Sequence, residues 1–273
     1  MRFNAHRYLQ GLARTNYLVQ RGRVAFGRRF DWVRCGNFLV VSAVRSGSTL
    51  MCDYLNCSRQ IRCYGEVLGP GHIRYGYPYR MSLDRLRLHL ESFFVRRPNK
   101  LSGAKIMTFH LDELPLTWTD MLQLLGQPKV IMLYRQSTLD QFTSFKLAER
   151  DDIWHVRRPK TIPPIWLDPD EYLAFAERER KMWNNAIAAI GRKYAYLLPY
   201  EALVSRSVDA MRGVFAHLGV APARLRTRFV PTNPRPLWQK IINYKQFAEA
   251  GIPDATRLEL PAPSRPAAIP VAA

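Results

Sequence analysis

Residues 37–55, NFLVVSAVRSGSTLMCDYL, constrain the fold of this chain more than any other stretch. Phe38-Leu39-Val40-Val41 is an apolar run of the kind that a buried strand shows. Residues 42–49 are small and basic, and from Leu50 the sequence turns helical. A strand, a phosphate-sized loop and a helix in that order present successive backbone N–H groups, backed by the helix dipole, to a phosphate or sulfate. Set against the G-x-x-x-x-G-K-[ST] loop of nucleoside-triphosphate proteins, the register is Ser42-x-x-x-x-Gly47-Ser48-Thr49. Ser48 stands where the lysine would be, and Arg45 can restore positive charge from inside the loop.

The chain then alternates. Residues 48–57 read as a helix, 59–66 as an extended segment turning at Gly65, and 81–95 as an amphipathic helix with Leu83, Leu86, Leu90, Phe93 and Phe94 on one face. Residues 102–110 read as a second strand and 118–125 as a short helix closed by Gly126 and Pro128. Lys129–Tyr134 is near-continuously apolar, as in a buried parallel strand, and runs into Arg135. A nucleoside triphosphatase would place an aspartate for Mg²⁺ there; this chain places a guanidinium. The next helix starts at Ser137 with Asp140 in its first turn, where a carboxylate suits the dipole. Ser137, Gln141 and Ser144 fall at i, i+4 and i+7, one polar stripe beside Arg135. Residues 147–168, rich in Trp, Arg and Pro, read as a lid or acceptor loop. Asp168, Pro169 and Gly191 are start and stop signals for a further helix, followed by a strand at 194–199 and a helix at 208–218. This alternation implies a three-layer α/β/α, P-loop-like fold around a central parallel sheet of about four or five strands, with ligand at the strands' carboxyl ends.

Val44-Arg45-Ser46-Gly47-Ser48-Thr49-Leu50 resembles the 5′-phosphosulfate loop of sulfotransferases that use 3′-phosphoadenosine 5′-phosphosulfate (PAPS), in particular the R-S-G-S-T-L of the bacterial carbohydrate, lipopolysaccharide and nodulation branch. The resemblance continues in order along residues 37–250. The C-x-G-E of Cys63 to Glu66 resembles a segment that follows the loop in that branch, and implies Glu66 as the catalytic base. Related sequences place a lysine in the next strand, which makes Lys105 a candidate to neutralise a leaving phosphate. His110, with Leu111 after it and Pro115 beyond, is faintly similar to the H-L-P of eukaryotic members, where the histidine is the base, so the choice between Glu66 and His110 stays open. Arg135 with Gln141 and Ser144 is similar to the 3′-phosphate motif L-Y-R-x-x-x-x-x-Q-x-x-S. Tyr200-Glu201-Ala202-Leu203-Val204 is similar to a Y-E-D-L-V corner, with Ala202 replacing the acid. Pro231-Thr232-Asn233-Pro234-Arg235-Pro236-Leu237, with Asn243-Tyr244 beyond, resembles the branch's Q-N-x-R-P-L…N-Y ending and adds Arg235 to the nucleotide set. The Arg-Lys-Gly nucleotide loop of eukaryotic members is absent. The implied activity is transfer of the sulfuryl group of PAPS to a hydroxyl of a carbohydrate or glycolipid. Arg45, Ser46, Gly47, Ser48 and Thr49 would hold the phosphosulfate, Arg135 and Ser144 the 3′-phosphate, and no metal is required.

Charge bears on partners. The chain carries +19 over 273 residues, which favours anionic ligands or surfaces. Residues 1–36 form a basic arm in which eight arginines face Asp31 alone. It reads as a solvated, partly docked extension or as a peripheral attachment to anionic lipid. The domain proper spans 37–258, and the Pro/Ala-rich residues 259–273 read as a disordered tail. No run approaches the ~18 apolar residues of a membrane span. The four cysteines, Cys35, Cys52, Cys57 and Cys63, lack C-x-x-C pairing, and no export signal is present; reduced thiols in a cytoplasmic protein are expected. Two other functions share parts of this pattern. A P-loop kinase would share the cradle but needs the missing lysine and the β-strand aspartate. A nucleic-acid-binding protein would explain the charge, but no recognised reading element carries it, so no specific nucleic-acid partner is expected.

Overall fold

The computed structural model describes residues 37–68, 82–94, 100–114, 116–154, 161–191, 194–230, 232–252 and 256–258, together with 19, 21, 22, 24, 25, 158 and 260. Most of the basic arm, the 69–78 loop, Cys35 and the tail from 261 lie outside the described residues. Within the arm, Val24 is helical and buried, with Leu88 packed against it.

Five strands, β1 (Asn37–Ser42), β2 (Ile61–Glu66), β3 (Leu101–Met107), β4 (Lys129–Tyr134) and β5 (Ala195–Pro199), form one sheet in the order β2-β3-β1-β4-β5. Every pairing is parallel. β1 is central, and Phe38 to Val41 are all fully buried. Alternation along the strands sends these side chains to two faces. Leu39 and Val41 join Ala104, Ile106, Val130 and Met132 under α2 (Leu83–Phe94), α3 (Trp118–Leu124) and α5 (Pro169–Ile190). Phe38 and Val40 join Ile131 and Leu133 under α1 (Ser48–Leu55), α6 (Tyr200–Ser205) and α7 (Ser207–Leu218). The result is the expected three-layer α/β/α sandwich. Gly103 makes the centre possible, since a Cβ there would sit 2.2 Å from Cζ of Phe38, whose ring crosses β3.

A third cluster ties α4 (Thr138–Asp151) to α5 and to the C-terminal segment through Phe142, Tyr172, Phe175, Ile241 and Phe247. That segment contributes two short helices, α8 (Leu237–Lys240) and α9 (Tyr244–Glu249), and Ile165 bridges Ile241. Further on, the Leu258 N–H donates to the Gln136 carbonyl at 2.9 Å. The start and stop of α5 are as the sequence signals: Asp168 Oδ1 accepts from Asp170 N–H at 2.8 Å, Pro169 follows, and Gly191 closes the helix.

Three local expectations are corrected. The second strand ends at Met107, and Thr108–Glu113 is a 3-10 helix. The Met107 N–H donates to His110 Nδ1 at 3.2 Å, which turns the histidine back over the strand end. The supposed lid does not begin at Leu147, because α4 continues to Asp151 with Leu147 and Ala148 buried. Gln141 leaves the polar stripe: it is buried and donates to Glu179 Oε2 of α5 at 3.0 Å. Cys52 and Cys63 are free and buried side by side, Cys57 is free and half-buried, and among the described residues no helix is long and apolar enough to cross a membrane.

Candidate functional site

The carboxyl ends of the parallel strands open into one cleft of about 620 Å³, the place where open α/β sheets take ligands. Its floor is the loop between β1 and α1. Arg45 (φ 56°) and Gly47 (φ 82°) both adopt left-handed backbone, and the fold of the loop depends on it. Ser46 is fully buried and donates to the Ala43 carbonyl at 2.8 Å, so its hydroxyl shapes the loop rather than facing the cleft. Gly47 caps α1 without any side-chain hydrogen bond, and a Cβ on it would lie 2.5 Å from Cδ2 of Tyr200. Gly47, Ser48, Thr49 and Leu50 line the cleft, and the first-turn N–H groups of a helix have no intrahelical acceptor.

Next to the loop stands Arg135, at the end of β4. Its guanidinium donates from Nη1 to the Arg45 carbonyl at 3.0 Å, pairs through Nη2 with Asp140, and lies 4.5 Å from the Tyr200 ring centroid. Its buried Nε has no hydrogen-bond partner among the described residues. Asp140 is also bound by Lys240 Nζ, at 2.6 Å to Oδ1. Burial raises and the two cations lower the Asp140 pKa, with a net displacement below the ordinary value. Glu201 supports the turn from β4 into α4 by accepting from the N–H groups of Gln136 and Ser137. Arg45 reaches across to α4 and the segment after it: Nε donates to Ser144 Oγ at 3.0 Å and Nη1 to the Trp154 carbonyl at 2.5 Å. Burial and the neighbouring Arg135 both push the Arg45 pKa down. Two guanidinium groups lining the same cleft favour an anion there.

At the opposite end of the cleft, Glu66 closes β2 in register with Lys105 of β3. Lys105 Nζ is 3.0 Å from Glu66 Oε2, and His110 Nε2 is 3.3 Å from Oε1, a close contact that is not aligned as a full hydrogen bond. Burial alone would raise the Glu66 pKa, but His110 and Lys105 outweigh it and hold the carboxyl at about 2.

The structure therefore gathers Arg45, Gly47, Ser48, Thr49, Arg135 and Ser144 around one end, and Glu66 and Lys105 with His110 behind them at the other. Arg235 does not itself line the cleft but stands directly behind it: it donates to the Ile162 carbonyl and to Asn233 Oδ1, and both of those residues line the cleft. Sequence reading missed Lys240, and it took Asp140 for a helix-capping acid alone. Neither carries a local signal, since the two are brought together only by the tertiary fold.

No family model matches the chain, and no curated protein matches its sequence. Solved structures do. The sulfotransferase from Alicyclobacillus acidocaldarius superposes with a TM-score of 0.50 at 18% identity, covering 79% of this chain and 90% of that one. The fold is that of a sulfotransferase. Weaker matches include sulfotransferase STF9 from Mycobacterium avium (TM-score 0.47, 12% identity, 76% of this chain and 71% of that one). Mouse sulfotransferase SULT7A1, solved in complex with PAP, matches at a TM-score of 0.40 and 17% identity over 68% of this chain and 59% of that one.

Proposed function

We propose that the protein is a sulfotransferase that moves the sulfuryl group of PAPS to a hydroxyl of a carbohydrate or glycolipid. One observation carries the donor assignment: the two arginine-based anion sites interlock. Arg135 holds the Arg45 carbonyl, and Arg45 holds Ser144, so the cradle at α1 and the site at the end of β4 are immediate neighbours. A nucleotide with one phosphate at each end of a single ribose matches two adjacent sites. A triphosphate is a single linear chain, and Asp140, the cleft-lining carboxylate beside Arg135, is already bound by two cations. The acceptor class follows from the resemblance of the phosphate loop to carbohydrate and lipid sulfotransferases, and the exposed Trp154 at the cleft wall suits a sugar face.

In this reading the loop N–H groups with Ser48 and Thr49 hold the phosphosulfate, while Arg135, Ser144 and Lys240 hold the 3′-phosphate. Glu66 takes the acceptor proton as the hydroxyl oxygen attacks sulfur. The bond from sulfur to the phosphate oxygen breaks in line, and its electron pair stays on a phosphate stabilised by Lys105 and Arg45. The test is calorimetric titration with 3′-phosphoadenosine 5′-phosphate (PAP), ATP and duplex DNA, followed by transfer from labelled PAPS to a glycolipid panel. PAP should bind at least tenfold more tightly than ATP, about 1.4 kcal/mol. A preference for ATP would favour a kinase, and tight duplex binding a nucleic-acid protein.

A further inference from the structure

The Glu66–Lys105 pair presents a chemical conflict. A general base must be able to receive a proton near the working pH, yet this carboxylate is gripped on both oxygens by cationic or proton-donating groups. Lys105 is itself 7% exposed and lines the cleft beside Glu66. The cleft gives its ammonium another destination. Glu66, Lys105 and the phosphate loop line the same cleft, and Val40 of β1, which leads into the loop, is the cross-strand partner of Lys105 on its other side. A lysine stem is a flexible four-carbon arm carrying a point charge, so its head can change partners without backbone movement.

We infer that Lys105 is a donor-sensing switch: it exchanges Glu66 for the phosphosulfate when the donor binds, and thereby releases Glu66 to act as base. This deepens the sulfotransferase reading and rests on it. The exchange needs no covalent step. One ion pair is traded for another, and the lysine arrives at the oxygen that will carry the leaving charge. Donor before acceptor becomes the productive order, because Glu66 stays a weak base until the phosphosulfate has drawn Lys105 away. Among the described residues, the groups that face Glu66 include Lys105 from β3, His110 from the 3-10 helix and the buried Cys52 thiol of α1, which is hydrogen-bonded with Cys63. Of these, Lys105 is the one that the cleft places between the carboxylate and the loop.

The test is the titration of ¹³C-labelled Glu66 in the full chain, with and without PAP, in the parent and in Lys105→Met. PAP should raise the parent's midpoint by roughly one to three pH units, the effect of losing an adjacent opposite charge. In Lys105→Met the midpoint should start high and move distinctly less. In the parent, the Lys105 side-chain resonance should shift over the same titration, a readout that needs no variant. Equal PAP-induced shifts in parent and variant, or an unmoved Lys105 resonance, would overturn the switch. Calorimetry on the same samples separates the two ideas: failure to bind PAP removes the donor reading and the switch with it, whereas binding with an unmoved Glu66 removes the switch alone.

Discussion

Replacing Arg135 by alanine removes the side chain on which most of the nucleotide end of the cleft converges. The guanidinium is 8% exposed and touches Asp140, the Arg45 carbonyl and the face of Tyr200. A hydrogen bond to a charged group contributes about 1.5–3 kcal/mol, so PAP affinity should fall roughly 10- to 150-fold. The upper half of that range is expected, because truncation leaves Asp140 with Lys240 alone and turns its negative charge toward the phosphate. Adenosine 5′-phosphate, which lacks the 3′ group, supplies the control. Its affinity should change by less than about threefold, the effect of a substitution that does not meet the ligand. The assay is titration calorimetry on both nucleotides in about 0.15 M salt, where exposed charges are largely screened, with circular dichroism to verify folding. An equal loss for both nucleotides would mean general damage to the cleft, and no loss for PAP would remove Arg135 from the binding site.

Glu66→Gln should lower turnover roughly 10²- to 10⁴-fold without weakening PAP binding; steady-state rates with near-parental turnover would return the role of base to His110. Glu179 makes a prediction about pH. Burial raises its pKa from 4.5 to about 7 against the smaller opposing effects of Gln141 and Arg178. Its folded-state proton is bound more tightly than in the unfolded chain, so its stabilising contribution is complete below pH 4.5 and declines as pH rises toward 7. The loss is roughly 3 kcal/mol over that window, and Glu179→Gln should flatten the parent's fall in Tm between pH 5 and 8 in a thermal scan; parallel curves would contradict the shift. If the basic arm binds anionic lipid, vesicle co-sedimentation should be strong at low salt and lost at high salt, and salt-insensitive or absent binding would leave it an extension.

The central strands were legible because parallel strands covered on both faces must be apolar at every position, which Phe38 to Val41 and Val130 to Tyr134 satisfy. The phosphate loop was legible because its chemistry is local. What escaped depends on contacts between distant residues. The pattern through Thr108, Phe109 and His110 continues to look like a strand, and only the turn stabilised by His110 Nδ1 bends it away. Gln141 occupies the right helical spacing for the polar stripe, but α4 is covered on that side by α5, so the amide serves Glu179. Asp140 and Lys240 meet across a hundred residues of sequence, and nothing near either one announces the other. Glu66 was found through its motif, but its grip by Lys105 and His110 appears only once β2 is laid beside β3.

Tyr200 touches both anion sites with one side chain. Its ring occupies the space where a Gly47 side chain would go, and it lies against the Arg135 guanidinium. The spacing between phosphate loop and arginine is therefore gauged by a rigid aromatic spacer as well as by the direct hydrogen bond from Arg135 to the Arg45 carbonyl. Tyr200→Phe keeps the gauge, whereas an aliphatic residue would let the two sites drift together. On this account, the dimensions of a neutral ring help to set the discrimination among nucleotides whose phosphates lie at different separations.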